Sequence, residues 1–259
     1  MRRRGKEKPE PNRQLERKFE GWAQRQAKGM EQGPEEMLQQ AQDVLDWAIR
    51  KHGPAATITI KAMNEVASQR SRLGQVTEEV SLREKIVAGL RTSVGAGDAS
   101  TLQAEWNLAT CLMQLERFED AAPLFAHVVH GRALALGSED PQTLLAMAWS
   151  ASAEKQLGRL DEARLLQEQV LAGYDRREEG ESDQAQLAAL NLASTLSELY
   201  ELPEAARLVR HVVDVRSRTL GPDDPKTMNA RQLLDSVERA DGRLGLEGDD
   251  ERRPDRPPR

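Results

Sequence analysis

The chain repeats itself every 42 residues, and that register restricts it to a stack of like units. Thr101-Leu102 recurs as Thr143-Leu144. Asn107-Leu108-Ala109 recurs two periods later as Asn191-Leu192-Ala193. Ala121, Ala163 and Ala205 keep the step, as do Leu115, Leu157 and Leu199, and Val128, Val170 and Val212. The connecting segments agree, because Leu136-Gly137-Ser138-Glu139-Asp140-Pro141 returns as Leu220-Gly221-Pro222-Asp223-Asp224-Pro225. Upstream the register is fainter. Thr59, Ala67, Leu73 and Ile86 lie one period before Thr101, Ala109, Leu115 and Val128, and Val44-Leu45 lies one period before Ile86-Val87.

Each unit reads as two helices. Leu102, Leu108, Ala109, Leu112 and Leu115 are spaced to share a helical face, and so are Ala121, Leu124, Phe125, Val128 and Val129. Asp98, Asp140 and Asp224 are placed to cap the first helix, with Pro141 and Pro225 at its first position. The pattern predicts helices over 13–29, 35–51, 57–73, 77–93, 99–115, 118–135, 141–157, 160–177, 184–200, 203–219 and 225–240. That is five helix-turn-helix hairpins and a terminal helix, an all-α solenoid, with first helices on one surface and second helices on the other. The alanines at 109, 151 and 193 and at 121, 163 and 205 let helix axes approach closely. Glu79 stands where the second helix expects such an alanine, so a looser contact is expected there. The acidic pairs Glu78-Glu79, Asp161-Glu162 and Glu178-Glu179 fall at helix starts or ends, where near an N-terminus they complement the helix dipole.

Composition sorts the chain around this array. Residues 1–12 form a charged, proline-bearing tail and 243–259 a second one, both expected to be disordered. Residues 13–95 carry degenerate repeats, and 96–242 carry clear repeats and the C-terminal helix. The formal charge is -6, from 37 basic and 43 acidic residues, which argues against a nucleic-acid partner. No run of 18 apolar residues exists, so no membrane partner is expected, and no apolar stretch follows Met1-Arg2-Arg3-Arg4 as a secretory signal would require. These points indicate the cytosol, and an Arg-over-Lys bias with abundant Ala fits a GC-rich bacterial genome. The single cysteine, Cys111, lies in an apolar stripe and reads as core. His127, His130 and His211 lack the spacing of a metal site, and Gly95-Ala96-Gly97 lacks the strand a phosphate loop needs. No cofactor, metal or catalytic residue is expected, so the chain is not read as an enzyme.

The stretch from Asn107 to Leu144, with Asn-Leu-Ala, the Arg117-Phe118 turn, Ala121, Ala122-Pro123-Leu124 and Leu-Gly-x-x-Asp-Pro, resembles tetratricopeptide repeats of the 42-residue kinesin-light-chain-like type. The likeness is strong over 98–178, good over 182–240 and degenerate over 13–95. Trp149-Ser150-Ala151 and Glu65-Val66-Ala67 depart from Asn-Leu-Ala. The resemblance implies a right-handed superhelix with the first helices on its concave side. That side would carry Trp22, Asn64, Gln103, Trp106, Asn107, Thr110, Gln114, Trp149, Ser152, Lys155, Gln156, Asn191, Ser194 and Asn229. Gln103, Asn107, Thr110 and Gln114 share one helical stripe. An amide offers two donors and an acceptor and can clamp a peptide bond whatever its side chain. In the family such asparagines hold cargo peptides. Against this, the tryptophans could pack between repeats and the asparagines could satisfy local backbone. The function implied is a protein-interaction adaptor that holds a partner's peptide segment; the alternative is a ligand- or peptide-gated regulator. The last helix has no second helix after it. It is expected to be capped by the Leu244–Leu246 segment, leaving a monomer, or to support a weak homodimer.

Overall fold

The structure is a computed structural model that describes residues 33–250, with side chains described through Gly242. Ten helices follow one another among these residues. They are α1 (Pro34–His52), α2 (Thr57–Arg72), α3 (Val76–Ser93), α4 (Ala99–Gln114), α5 (Phe118–Leu136), α6 (Pro141–Gln156), α7 (Leu160–Arg176), α8 (Asp183–Glu198), α9 (Leu202–Thr219) and α10 (Pro225–Asp250). No strand occurs among the described residues, and the fold is an all-α helical repeat. The expected helices are present from 35 onward. The expected helix over 13–29, Trp22 and the tail at 1–12 lie outside the described residues. The chain forms two compact units, one ending at Leu124 and one beginning at Phe125, with the boundary inside α5.

The repeat is built at its turns. Gly53, Gly95, Gly137 and Gly221 follow α1, α3, α5 and α9 with φ between 84 and 99°. A residue with Cβ is strained there, so glycine ends these four second-type helices, whereas α7 is followed by Glu178 at φ 60°. Three residues later the next helix is capped: Asp98 accepts from the Ser100 amide and Asp140 from the Gln142 amide, both at 2.8 Å. A threonine then locks the corner. Thr59 Oγ1 donates to the Gly53 carbonyl and Thr101 Oγ1 to the Gly95 carbonyl, both at 2.7 Å. Thr143 and Thr227 are buried in the same place, with hydroxyls that find no partner.

Packing follows the small residues. The alanines at 109, 151, 121, 163 and 205 have no exposed surface, and Ala193 almost none. A glycine series adds to them, since Gly89, Gly131 and Gly173 also keep the period. A Cβ on Gly173 would stand 2.5 Å from Leu144 Cδ2, and one on Gly89 would stand 3.3 Å from Ile60 Cδ1. These glycines let the second-type helices α7 and α3 close onto α6 and α2. In the unit from Phe125 onward, Leu144, Met147, Val170 and Tyr174 form one apolar cluster, and Leu192, Leu196, Leu202, Val209, Val212 and Val237 form another. Arginines tie successive helix pairs there: Arg132 donates to the Gln142 carbonyl and Arg216, two periods on, to the Lys226 carbonyl, both at 3.0 Å.

Three expectations are corrected. The contact at Glu79 is not loose: the side chain is fully buried, and Arg83 donates to its Oε1 from Nε at 2.7 Å. The ion pair fills the volume an alanine leaves open elsewhere. The last helix runs to Asp250 instead of ending at 240, so the segment expected to be disordered from 243 begins as helix. No proline interrupts the chain between Pro225 and Pro254, so nothing breaks the hydrogen-bond ladder. For the same reason Leu244–Leu246 prolongs α10 and does not fold back as a separate cap. Cys111 is a core residue, as expected, and Trp47 is buried as well.

Candidate interaction surface

In the unit ending at Leu124, α4 presents a polar stripe on a buried apolar helix. Leu108, Ala109 and Leu112 are buried, while Gln103 and Gln114 are exposed and Asn107 and Thr110 half-buried. The side-chain amide of Gln103 donates to Asn107 Oδ1 at 3.1 Å, which turns the Asn107 amide nitrogen away from Gln103. Thr110 Oγ1 donates to the Asn107 carbonyl at 2.9 Å, a bond within the helix. On α2, Asn64 is exposed and donates to the Ile60 carbonyl at 3.2 Å.

These residues meet at a cavity of about 420 Å³ between α2, α4 and the end of α3. Asn64, Gln103 and Asn107 line it together with Ile60, Leu90 and Val94. Amide groups therefore stand beside an apolar floor, which suits a peptide that places its backbone on the amides and a side chain below. Trp106, Thr110 and Gln114 do not line this cavity; Trp106 is half-buried on α4. Lys61 does line it and was missed, although it lies one period before Gln103.

In the other unit the equivalent stripes lie on α6 and α8. Trp149 is 37% exposed and stacks on the buried Phe125, with ring centroids 6.0 Å apart and planes at 29°. It is thus half anchored in the core, with the rest of its indole facing outward. Ser152, Lys155 and Ser194 are half-buried, and Gln156 and Asn191 are exposed. Lys155 Nζ donates to Ser194 Oγ at 2.7 Å and pairs with Glu198 at 2.9 Å. Lys155 therefore ties α6 to α8. Leu145 and Leu187, both exposed, stand one turn before Trp149 and Asn191. They were missed, although they are one period apart; an exposed leucine is legible only once the buried face is known. Asn229 is exposed on α10.

Among the described residues no group of three His, Cys, Asp or Glu side chains could hold a metal. No helix among them is long and apolar enough to cross a membrane. Burial pushes the Cys111 thiol up to about 11, with Arg83 partly opposing the rise, so it is a poor nucleophile.

Tetratricopeptide-repeat family models match residues 100–176 and 187–226. The chain is a tetratricopeptide-repeat protein. Solved structures share the fold of these repeats. A kinesin-light-chain-like protein of nearly identical TPR-like repeats from Podosopora anserina superposes with a TM-score of 0.68 at 24% identity, over 81% of this chain and 98% of that one. BtubC (BKLC) from P. vanneervenii gives 0.63 at 16% identity, over 88% and 96%. YrrB, described as a TPR protein with an unusual peptide-binding site, gives 0.53 at 20% identity, over 75% and 84%. No curated protein matches the chain.

Proposed function

We propose that this tetratricopeptide-repeat protein is a non-enzymatic adaptor that holds a peptide segment of a partner protein on its first-type helices. The observation that carries the reading is the cavity where Asn64, Gln103 and Asn107 surround Ile60, Leu90 and Val94. The amides clamp backbone groups, and the floor removes an apolar side chain from water. Trp149, Asn191, Ser194 and Lys155 offer a second contact surface on α6 and α8. The solved TPR protein with a peptide-binding site, YrrB, shows that this fold can carry such a site.

The reading is tested with a random peptide library displayed on phage and selected on the full chain. Affinity of the best peptide is then measured against the wild type and against Asn64→Ala with Asn107→Ala. Each lost charge-neutral hydrogen bond costs about 1 kcal/mol. The double variant should therefore bind roughly tenfold or more weakly, with an unchanged melting temperature. Equal affinity in a folded double variant would remove this cavity from the account.

A further inference from the structure

A second cavity, of about 490 Å³, opens in the same unit between α1, α2 and α3. Pockets for small molecules run from about 300 to 1,000 Å³. Leu45, Met63 and Val66 are buried in its walls, and Arg70 and Lys85 line it as well. None of its lining residues belongs to the Asn64–Asn107 cavity.

Arg70 stands at a variable place in the repeat. At 42-residue steps stand Leu112 and Leu196, both core leucines with 2% exposure, and, alternating with them, the charged Glu154 and Glu238. Arg70 is half-buried, and its Nε is buried without a hydrogen-bond partner. A cation held among apolar side chains is costly unless an anion meets it. One period along, the chain supplies that anion itself. Ile49 and Met63 are replaced there by Arg91 and Glu105, and Arg91 Nη2 lies 2.6 Å from the fully buried Glu105 carboxylate. Around α1–α3 the equivalent positions Ile49 and Met63 stay apolar, while Gln42, Ser81 and Lys85 add polar groups to the lining. Glu78 is the one carboxylate that lines the cavity, and it is exposed.

We propose that this cavity binds a small amphiphilic carboxylate, a medium-chain fatty acid. Its head group accepts from Arg70, with Lys85 at the mouth, and its tail lies against Leu45, Met63 and Val66. The complementarity is specific to that class. An inorganic anion would leave the apolar walls unused, and an uncharged lipid would leave Arg70 unmet. Each methylene that leaves water strengthens binding about fourfold.

The test is calorimetric titration of the full chain with decanoate below its micellar concentration. The wild type should bind one decanoate saturably and octanoate roughly fifteenfold more weakly. Arg70→Leu, which installs the residue found at 112 and 196, should weaken decanoate at least about tenfold. Decanol, the same tail without the charge, should bind the wild type as weakly as decanoate binds Arg70→Leu. Ser81→Trp at the exposed mouth should block entry without touching the core, and it decides the matter if Arg70→Leu fails to fold. Absence of saturable decanoate binding to the wild type overturns the proposal. So does wild-type affinity in the folded Arg70→Leu or Ser81→Trp protein. Either failure leaves the peptide reading intact, because the two cavities share no residue.

Discussion

At the scale of single residues, the chain buries charge and sulfur where its period leaves an alanine or a leucine open. Glu79 sits in an alanine position, with Oε1 held by Arg83 and Oε2 buried without a hydrogen-bond partner. Cys111, on the neighbouring helix, is 5% exposed, and burial raises its thiol from 9.0 to about 11. In the unfolded chain the thiol loses its proton near its ordinary value. The native state therefore holds more protons than the unfolded state between pH 9 and 11. The stability this contributes is full below about pH 9 and lost as pH rises through about 11. Urea unfolding at pH 8, 9.5 and 10.5 should show a steeper loss in the wild type than in Cys111→Ala. Parallel profiles would mean that the thiol is solvated. Nothing in the 42-residue pattern announces this cluster: an alternation of types names Cys111 as core but cannot say that an ion pair lies against it.

At the scale of elements, most of the helices could be read directly. Caps, prolines and glycines are local signals, because they act through the backbone of the residues beside them. The period located α2 through α9 to within a few residues. Asp140 shows why: its carboxylate accepts from the Gln142 amide, and Pro141 occupies the first position, where a missing N–H does no harm. Asp140→Ala should lower stability by about 1 kcal/mol, the usual value of such a cap. Chemical denaturation checks it, and Asp140→Asn should recover most of the loss. The C-terminal end of α10 was misread because charged composition is a weak substitute for a stop signal. Aspartate and arginine are tolerated on an exposed helix, and only proline or a left-handed residue ends one.

At the scale of the molecule, the contacts run between successive helices within each unit, as in other solenoids. Damage should accordingly stay local. Gly173→Ala would place a methyl group 2.5 Å from the buried Leu144 side chain. The overpacking should cost about 1–3 kcal/mol. Hydrogen exchange should show faster opening in α6, α7 and α8, while α2 and α3 keep the rates of the parent. Uniform acceleration through all ten helices would show that the array unfolds as one cooperative body.

The sequence by itself determined the repeat, the two-helix unit, the all-α fold and the polar stripes on the first helices. Each of these depends on spacing along the chain, and spacing is visible in one dimension. Which stripe residues meet was decided only by tertiary structure. Asn64, Gln103 and Asn107 come together because α2 and α4 lie side by side across the end of α3, whereas Trp106, Thr110 and Gln114 leave that cavity lined by others. The depth to which Trp149 is held depends on Phe125 behind it, and the cation of Arg70 acquires meaning only beside the open walls of α1 and α3. Cavities and partners are properties of surfaces brought together from distant segments, and the register that builds the stack does not specify what its faces enclose.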